Sequence, residues 1–170
     1  MRTITTKGNG QTRALSDLMQ NLLVSELLYP SRELWVLSPW IADIVVIDNG
    51  AAQFSTLLPG LPARGIRLTE VLIELAQRGS EVRVLTLDDV RNTTVQLRLR
   101  DAAASGPHPL HLIRSTLHAK GILGDRFHLS GSMNFTYRGQ QVNDEGITVT
   151  TEPDIIAKVR IDYNTKYKTK

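Results

Sequence analysis

The sequence predicts an α/β sandwich, a mixed β-sheet flanked by helices, on three observations. Helical and extended periods alternate from about residue 12 onward, in the order helix, strand, helix, strand, helix, strand. Gly and Pro punctuation falls where one period gives way to the next, at Pro30, Gly79 and Ser105-Gly106-Pro107. The chain has 170 residues, 41% hydrophobic and 22% charged, the size and composition of one globular domain. Residues 1–170 therefore read as a single domain, with the polar residues 1–11 as a loose N-terminal arm. No internal repeat is visible.

Residues 12–29 place Leu15, Leu18, Met19, Leu22, Leu23 and Leu27 on one helical face, and Pro30 stops that helix. Residues 34–37 form a short buried strand closed by Ser38-Pro39-Trp40, where Trp40 is either a wall for a substrate or a core aromatic. Residues 41–47 are apolar without a period, so helix and strand both stay open. Residues 48–65 carry Asn-Gly, further glycines and two prolines, and read as a long surface loop with room for a short helix at 51–57. Loops longer than about 12 residues are often functional, and this one is expected to shape substrate choice. Residues 67–78 put Leu68, Val71, Leu72 and Leu75 on one face, with Gly79 as the C-cap. Strands at 81–87 and 110–113 bracket a helix at 90–104; a hairpin, a strand at 146–150 and a helix at 152–167 complete the chain.

Chemistry concentrates in residues 117–137, LHAKGILGDRFHLSGSMNFTY. His118 and Lys120 lie two apart in a run with strand character, so imidazole and ammonium leave one face. Gly124-Asp125 follows as turn chemistry between two short strands. The second strand leads to Gly131-Ser132-Met133-Asn134, where Gly131 permits close backbone approach and Ser132 and Asn134 can donate to anionic oxygens. Further on, Asn143, Glu145, Ile147 and Val149 share strand parity. That puts the Glu145 carboxylate on the face the two apolar residues bury, where it needs a partner; His118 is the obvious one, and the alternative is a strand-end Glu facing water. Asp125, between two strands after a glycine, reads first as a turn residue and second as a chemical group.

These residues carry a resemblance. HAKGILGD fits HxKxxxxD through His118, Lys120 and Asp125, GSMNFT fits the GSxN element that follows it, and Asn143-x-Glu145 falls where many members carry an acidic residue. The chain thus resembles the phospholipase D superfamily, in particular its bacterial nuclease-like members with a single copy of the motif, over most residues after about position 12. The resemblance implies a phospholipase D-like α/β sandwich and a metal-independent phosphodiesterase with His118, Lys120, Asp125, Ser132, Asn134 and Glu145 as catalytic residues, and with Trp40, Lys120, Ser132 and Asn134 holding the substrate. It implies attack by His118 on a phosphodiester, with a phosphohistidine intermediate. In-line displacement needs a second group to protonate the leaving oxygen, and a homodimer sharing one site between two copies of His118 would supply it.

The net charge of +3 and pI near 9.4 lean weakly toward an anionic partner. Arg91, Arg98 and Arg100 on one expected helix, and Lys158, Arg160, Lys166, Lys168 and Lys170 near the C-terminus, are either tracks for a nucleic-acid backbone or solvated faces. Zero Cys excludes disulfides and thiolate metal sites, no HExxH pattern joins His108, His111 or His128, and so neither a metal nor a cofactor is expected. No run reaches the ~20 apolar residues of a membrane span, and a cytoplasmic location is expected. Three readings follow: a nuclease acting on DNA or RNA, a non-catalytic nucleic-acid-binding subunit with partner proteins in a bacterial defence or DNA-modification system, and a phospholipid phosphodiesterase or transferase. The intact motif favours the first.

Overall fold

A computed structural model of the chain describes residues 2–5, 9–61, 63–138 and 146–167. Among the described residues nine strands run, in chain order, β1 Arg2–Thr5, β2 Glu33–Leu37, β3 Val45–Ile47, β4 Ile66–Arg67, β5 Glu81–Thr86, β6 Leu110–Arg114, β7 Gly121–Leu123, β8 His128–Gly131 and β9 Gly146–Thr150. The helices are α1 Asn9–Leu28, α2 Leu68–Gln77, α3 Thr93–Ala104 and α4 Pro153–Tyr167. Seven strands form one mixed sheet in the order β1-β9-β8-β7-β2-β5-β6, while β3 and β4 pair apart from it. The parallel part is β2-β5-β6 and the antiparallel part runs from β2 through β7, β8 and β9 to β1. The expected α/β sandwich with a mixed sheet is the observed architecture.

Strand parity explains the two layers. Leu34 and Val36 of β2, with Val82 and Val84 of β5, face a core built with Leu15, Met19, Leu23 and Leu27 of α1, Leu68, Val71, Leu72 and Leu75 of α2, and Val95 and Leu99 of α3. Trp35 and Leu37 of β2, with Leu85 of β5, face the opposite way, onto Ile156 and Tyr167 of α4. Each such buried side chain contributes roughly 1.5–3 kcal/mol relative to exposure. On β9, Ile147 is buried in the first core and Val149 packs against it, the parity expected from sequence.

Local signals set the limits of α2. The Glu70 carboxylate accepts from the Arg67 amide (2.8 Å), and the Asp43 carboxylate accepts from the Thr69 amide (3.0 Å). Both anions sit where the helix N-terminus leaves its donors free. At the other end Gly79 adopts φ +92°. Its amide donates to Ala76 and the Ser80 amide to Leu75, each at 3.0 Å, the paired closure of a Schellman end.

Several expectations are corrected. Residues 2–5 are not a loose arm: the β-branched Thr-Ile-Thr stretch adds β1 antiparallel to β9, covering an otherwise open sheet edge. The undecided 41–47 stretch yields β3. Residues 51–57 hold turns and no helix, and the loop is no mere surface feature, since Leu58 is buried and Phe54, Leu57 and Leu61 pack on the α1–α3 core. The helix expected at 90–104 opens as a single 3-10 turn, Val90–Asn92, before α3 begins. The first strand of the hairpin is only Gly121–Leu123, and residues 115–120, including His118 and Lys120, precede it without ladder pairing.

Candidate active site

Register places the catalytic candidates along one sheet edge. Leu37, the last residue of β2, pairs with Gly121, the first of β7; Gly121 pairs with Ser130 near the end of β8; and Gly131 pairs with Ile147 at the start of β9. The carboxyl ends of the parallel strands β2, β5 and β6 lie at this same edge. Such edges are where open α/β sheets bind ligands. The chain leaving β6 runs along the edge through residues 115–120 to enter β7.

In that stretch Leu117 is buried in the core under α4 and Ala119 packs against it, while His118 is exposed and Lys120 half-buried. The period-two alternation of an extended chain is therefore kept outside the sheet. The Lys120 ammonium donates to the His118 carbonyl at 3.1 Å, which holds the cation beside the imidazole's own residue.

Ser132 and Asn134 arrive from β8. The Ser132 amide donates to the Gly146 carbonyl and the Ser132 hydroxyl accepts from the Gly146 amide, both at 3.0 Å, fastening the serine to the start of β9. Beyond it, the Phe135 amide donates to the Ser38 hydroxyl (3.0 Å) and the Ala42 amide to the Phe135 carbonyl (2.7 Å), with Phe135 fully buried. Asn134 is thus pinned between Ser132 and the end of β2. Among the described residues its buried side-chain oxygen Oδ1 takes no hydrogen bond.

Asn134 lines a cavity of about 430 Å³ with Trp40, Ile41, Arg91, Tyr137 and Arg138. Trp40 is half-buried in its wall, whereas the fully buried aromatic is Trp35. The Trp40 indole N–H donates to Asp89 (3.3 Å), and the Arg91 guanidinium lies 4.4 Å from the ring centre. Arg91 also pairs with Asp89 at 2.6 Å, and those hydrogen bonds hold the Asp89 carboxyl far below the usual carboxylate range. Among the described residues, none of the 48–65 loop lines this cavity.

The structure does not bring Asp125 to this edge. It stands beyond the other end of β7, where its carboxylate accepts from the Arg32 amide (2.9 Å) and pairs with Arg160 (3.0 Å). Its contacts are those of a turn anchor, the structural half of the sequence reading. Glu145 lies outside the described residues. Of the four histidines, only His118 is at the site edge: His108 precedes β6, His111 pairs with Glu81 at the start of β5 (3.4 Å), and His128 opens β8 beside Tyr163. Among the described residues no group of three or more His, Cys, Asp or Glu side chains could hold a metal ion.

Sequence reasoning missed Asn92. It is fully buried; its Oδ1 accepts from the Ile41 amide (2.8 Å) and its Nδ2 donates to the Pro39 and Leu87 carbonyls, each at 2.9 Å. One amide side chain thereby ties the ends of β2 and β5 together behind Trp40. An Asn beside two threonines carries no sequence signal for that role. Arg91 was visible only as one of a basic cluster.

A mixed α/β sandwich thus presents His118, Lys120, Ser132 and Asn134 at one sheet edge. The sequence of residues 53–166 matches the family model described as the cardiolipin synthase, phospholipase D-like domain. The chain belongs to the phospholipase D-like family. Its fold is similar to that of Nuc from Salmonella typhimurium, a phospholipase D family member, with a TM-score of 0.61 and 12% identity over 88% of this chain and 86% of that one. It is similar to NucT from Helicobacter pylori, with a TM-score of 0.60 and 12% identity over 98% and 96% of the two chains. It also resembles TrmBL2, an archaeal chromatin protein, with a TM-score of 0.55 and 13% identity over 99% of this chain and 53% of that one. No curated protein matches the sequence.

Proposed function

We propose that the protein is a phosphodiesterase that cleaves DNA or RNA at a site shared by two subunits of a homodimer. The observation that carries this reading is the meeting of His118, Lys120, Ser132 and Asn134 at one sheet edge, with His118 exposed to an incoming diester. The imidazole attacks phosphorus, a phosphorus–nitrogen bond forms, and the bond to the leaving oxygen breaks. Lys120, Ser132 and Asn134 stabilise the charge that develops on the non-bridging oxygens. Water then attacks the phosphohistidine and frees the histidine. The nucleophile is a side chain and the electrophilic assistance an ammonium, so the step calls for no metal ion.

The leaving oxygen departs opposite the nucleophile and needs a proton from that side. With His108, His111 and His128 all placed away from the edge, the symmetry mate of His118 is the general acid that fits an isologous dimer. Residues 1–170 act as one domain in this reading. Nucleic acid as the substrate is supported by the net charge of +3 and by the similar fold of a chromatin protein whose structure is described as showing a mode of DNA binding. Among the described residues no helix is long and apolar enough to cross a membrane.

The test is one panel: purified protein with labelled single- and double-stranded DNA and RNA, and with phospholipid vesicles, all in excess chelator. Cleavage of a nucleic acid in chelator is the expected result. Turnover of phospholipid alone would overturn the substrate, and loss of activity restored by magnesium would overturn the chemistry.

A further inference from the structure

We infer that the cavity beside Asn134 is a subsite for an unpaired nucleobase, stacked on Trp40 next to the phosphate under attack, so that the substrate is single-stranded where it is cleaved. The inference rests on the nuclease reading and adds the substrate's conformation to it.

The cavity has the composition of a stacking platform rather than of a phosphate cradle. Its wall is Trp40, held in one orientation from both directions: the indole N–H is fixed on Asp89 and the Arg91 guanidinium lies against the ring. A clamped ring loses little freedom on binding a planar ligand. Arg91 is neutralised by Asp89, so it adds a flat polar surface rather than net charge. Tyr137 also lines the cavity and is 67% exposed, a second ring open to a planar ligand. Arg138, the next residue, is exposed and available for a neighbouring phosphate.

A volume of about 430 Å³ holds one planar base with its sugar edge. Chain geometry joins it to the chemistry, since Asn134 belongs both to the cavity and to the Ser132–Asn134 turn that grips phosphate. A base inside a duplex is stacked on both faces and cannot enter a concave wall without leaving its partner, which costs a few kcal/mol. Single strands meet no such penalty, and base–aromatic stacking is worth about 1–3 kcal/mol per base. An aromatic wall with interleaved arginines suits a base better than an acyl chain, which would gain nothing from the two guanidinium groups.

The experiment compares three substrates of one sequence and length: a single-stranded oligonucleotide, its duplex, and a strand whose bases flanking the cleaved bond are replaced by abasic residues. Wild type is expected to prefer the single strand over both others in kcat/KM. In Trp40→Ala the preference for base-bearing over abasic strands should collapse about 5- to 150-fold, mainly through KM, and Trp40→Phe should restore most of it. Binding is read independently of turnover by tryptophan fluorescence of the His118→Ala protein. Quenching by the single strand that is absent in the His118→Ala, Trp40→Ala double variant is expected.

Equal cleavage of abasic, single-stranded and duplex substrates would overturn the subsite while leaving the nuclease reading intact. Quenching by the oligonucleotide without any cleavage by wild type would uphold the subsite and overturn the nuclease. Quenching of Trp40 by anionic phospholipid vesicles, with no response to oligonucleotide, would overturn both.

Discussion

At the residue scale, position relative to the sheet edge separates the residues of the proposed chemistry from a turn anchor within one motif. Lys120 and Asn134 stand at the site, whereas Asp125 braces the far end of the hairpin against Arg32 and Arg160. Lys120→Ala and Asn134→Ala should each lower kcat by about 100-fold or more with little change in melting temperature. Asp125→Ala should do the reverse, costing about 1–3 kcal/mol of stability while the folded fraction keeps its turnover. Equal thermal losses in all three variants would erase the distinction. His128 supplies a pH prediction. Burial lowers its pKa below the ordinary 6.5, so the native state resists a proton that the unfolded chain accepts. Stability is therefore present above pH 6.5 and lost as the pH falls below it. A melting curve series should show that loss, and His128→Phe, which keeps the edge contact with Tyr163, should flatten it.

At the element scale, the β7–β8–β9 ladder is what delivers Ser132 and Asn134 to the edge, and its glycines are steric requirements. A Cβ at Gly131 would lie 2.0 Å from the Gly146 carbonyl oxygen of the adjoining strand, and one at Gly121 would lie 2.3 Å from that of Leu129. Backbone cannot give way as a flexible side chain can, so Gly131→Ala should cost at least about 2 kcal/mol and abolish turnover even where protein still folds. Gly79→Ala strains only a helix end with open space around it, and should cost about 1 kcal/mol with activity retained. Calorimetry with parallel assays of both variants checks the contrast; a silent Gly131→Ala would mean the ladder does not hold the site. Element limits were legible where local chemistry sets them, as at Gly79. They were illegible where a distant partner decides. The strand at 2–5 exists because β9 offers it an edge, and the strand at 121–123 begins only where β2 and β8 can both pair with it.

At the scale of the whole molecule, one copy of the motif must meet another if the proposed mechanism holds. Wild-type and His118→Ala chains, unfolded together and refolded as an equal mixture, pair at random. A composite site needing both imidazoles then retains about one quarter of the activity, whereas independent sites retain about one half. A straight line against wild-type fraction, or a monomer by light scattering at active concentrations, would remove the partner from the mechanism.

By itself, the sequence determined the α/β class, most of the helices and strands, and the identity of His118, Lys120, Ser132 and Asn134 as candidates, because periodicity and a spaced polar motif are local properties of a chain. It also carried both readings of Trp40 and of Asp125 without a way to choose. Their places came from the tertiary structure alone: parallel pairing of β2 with β5 and antiparallel pairing with β7 bring Trp40 to the same edge as His118 and carry Asp125 to the other. The same pairing gave Asn92 its place behind the site and left the other three histidines away from it. Which residues share an edge depends on strand order and direction, and these follow from burying two faces of one sheet at once, a condition that no single stretch of sequence contains.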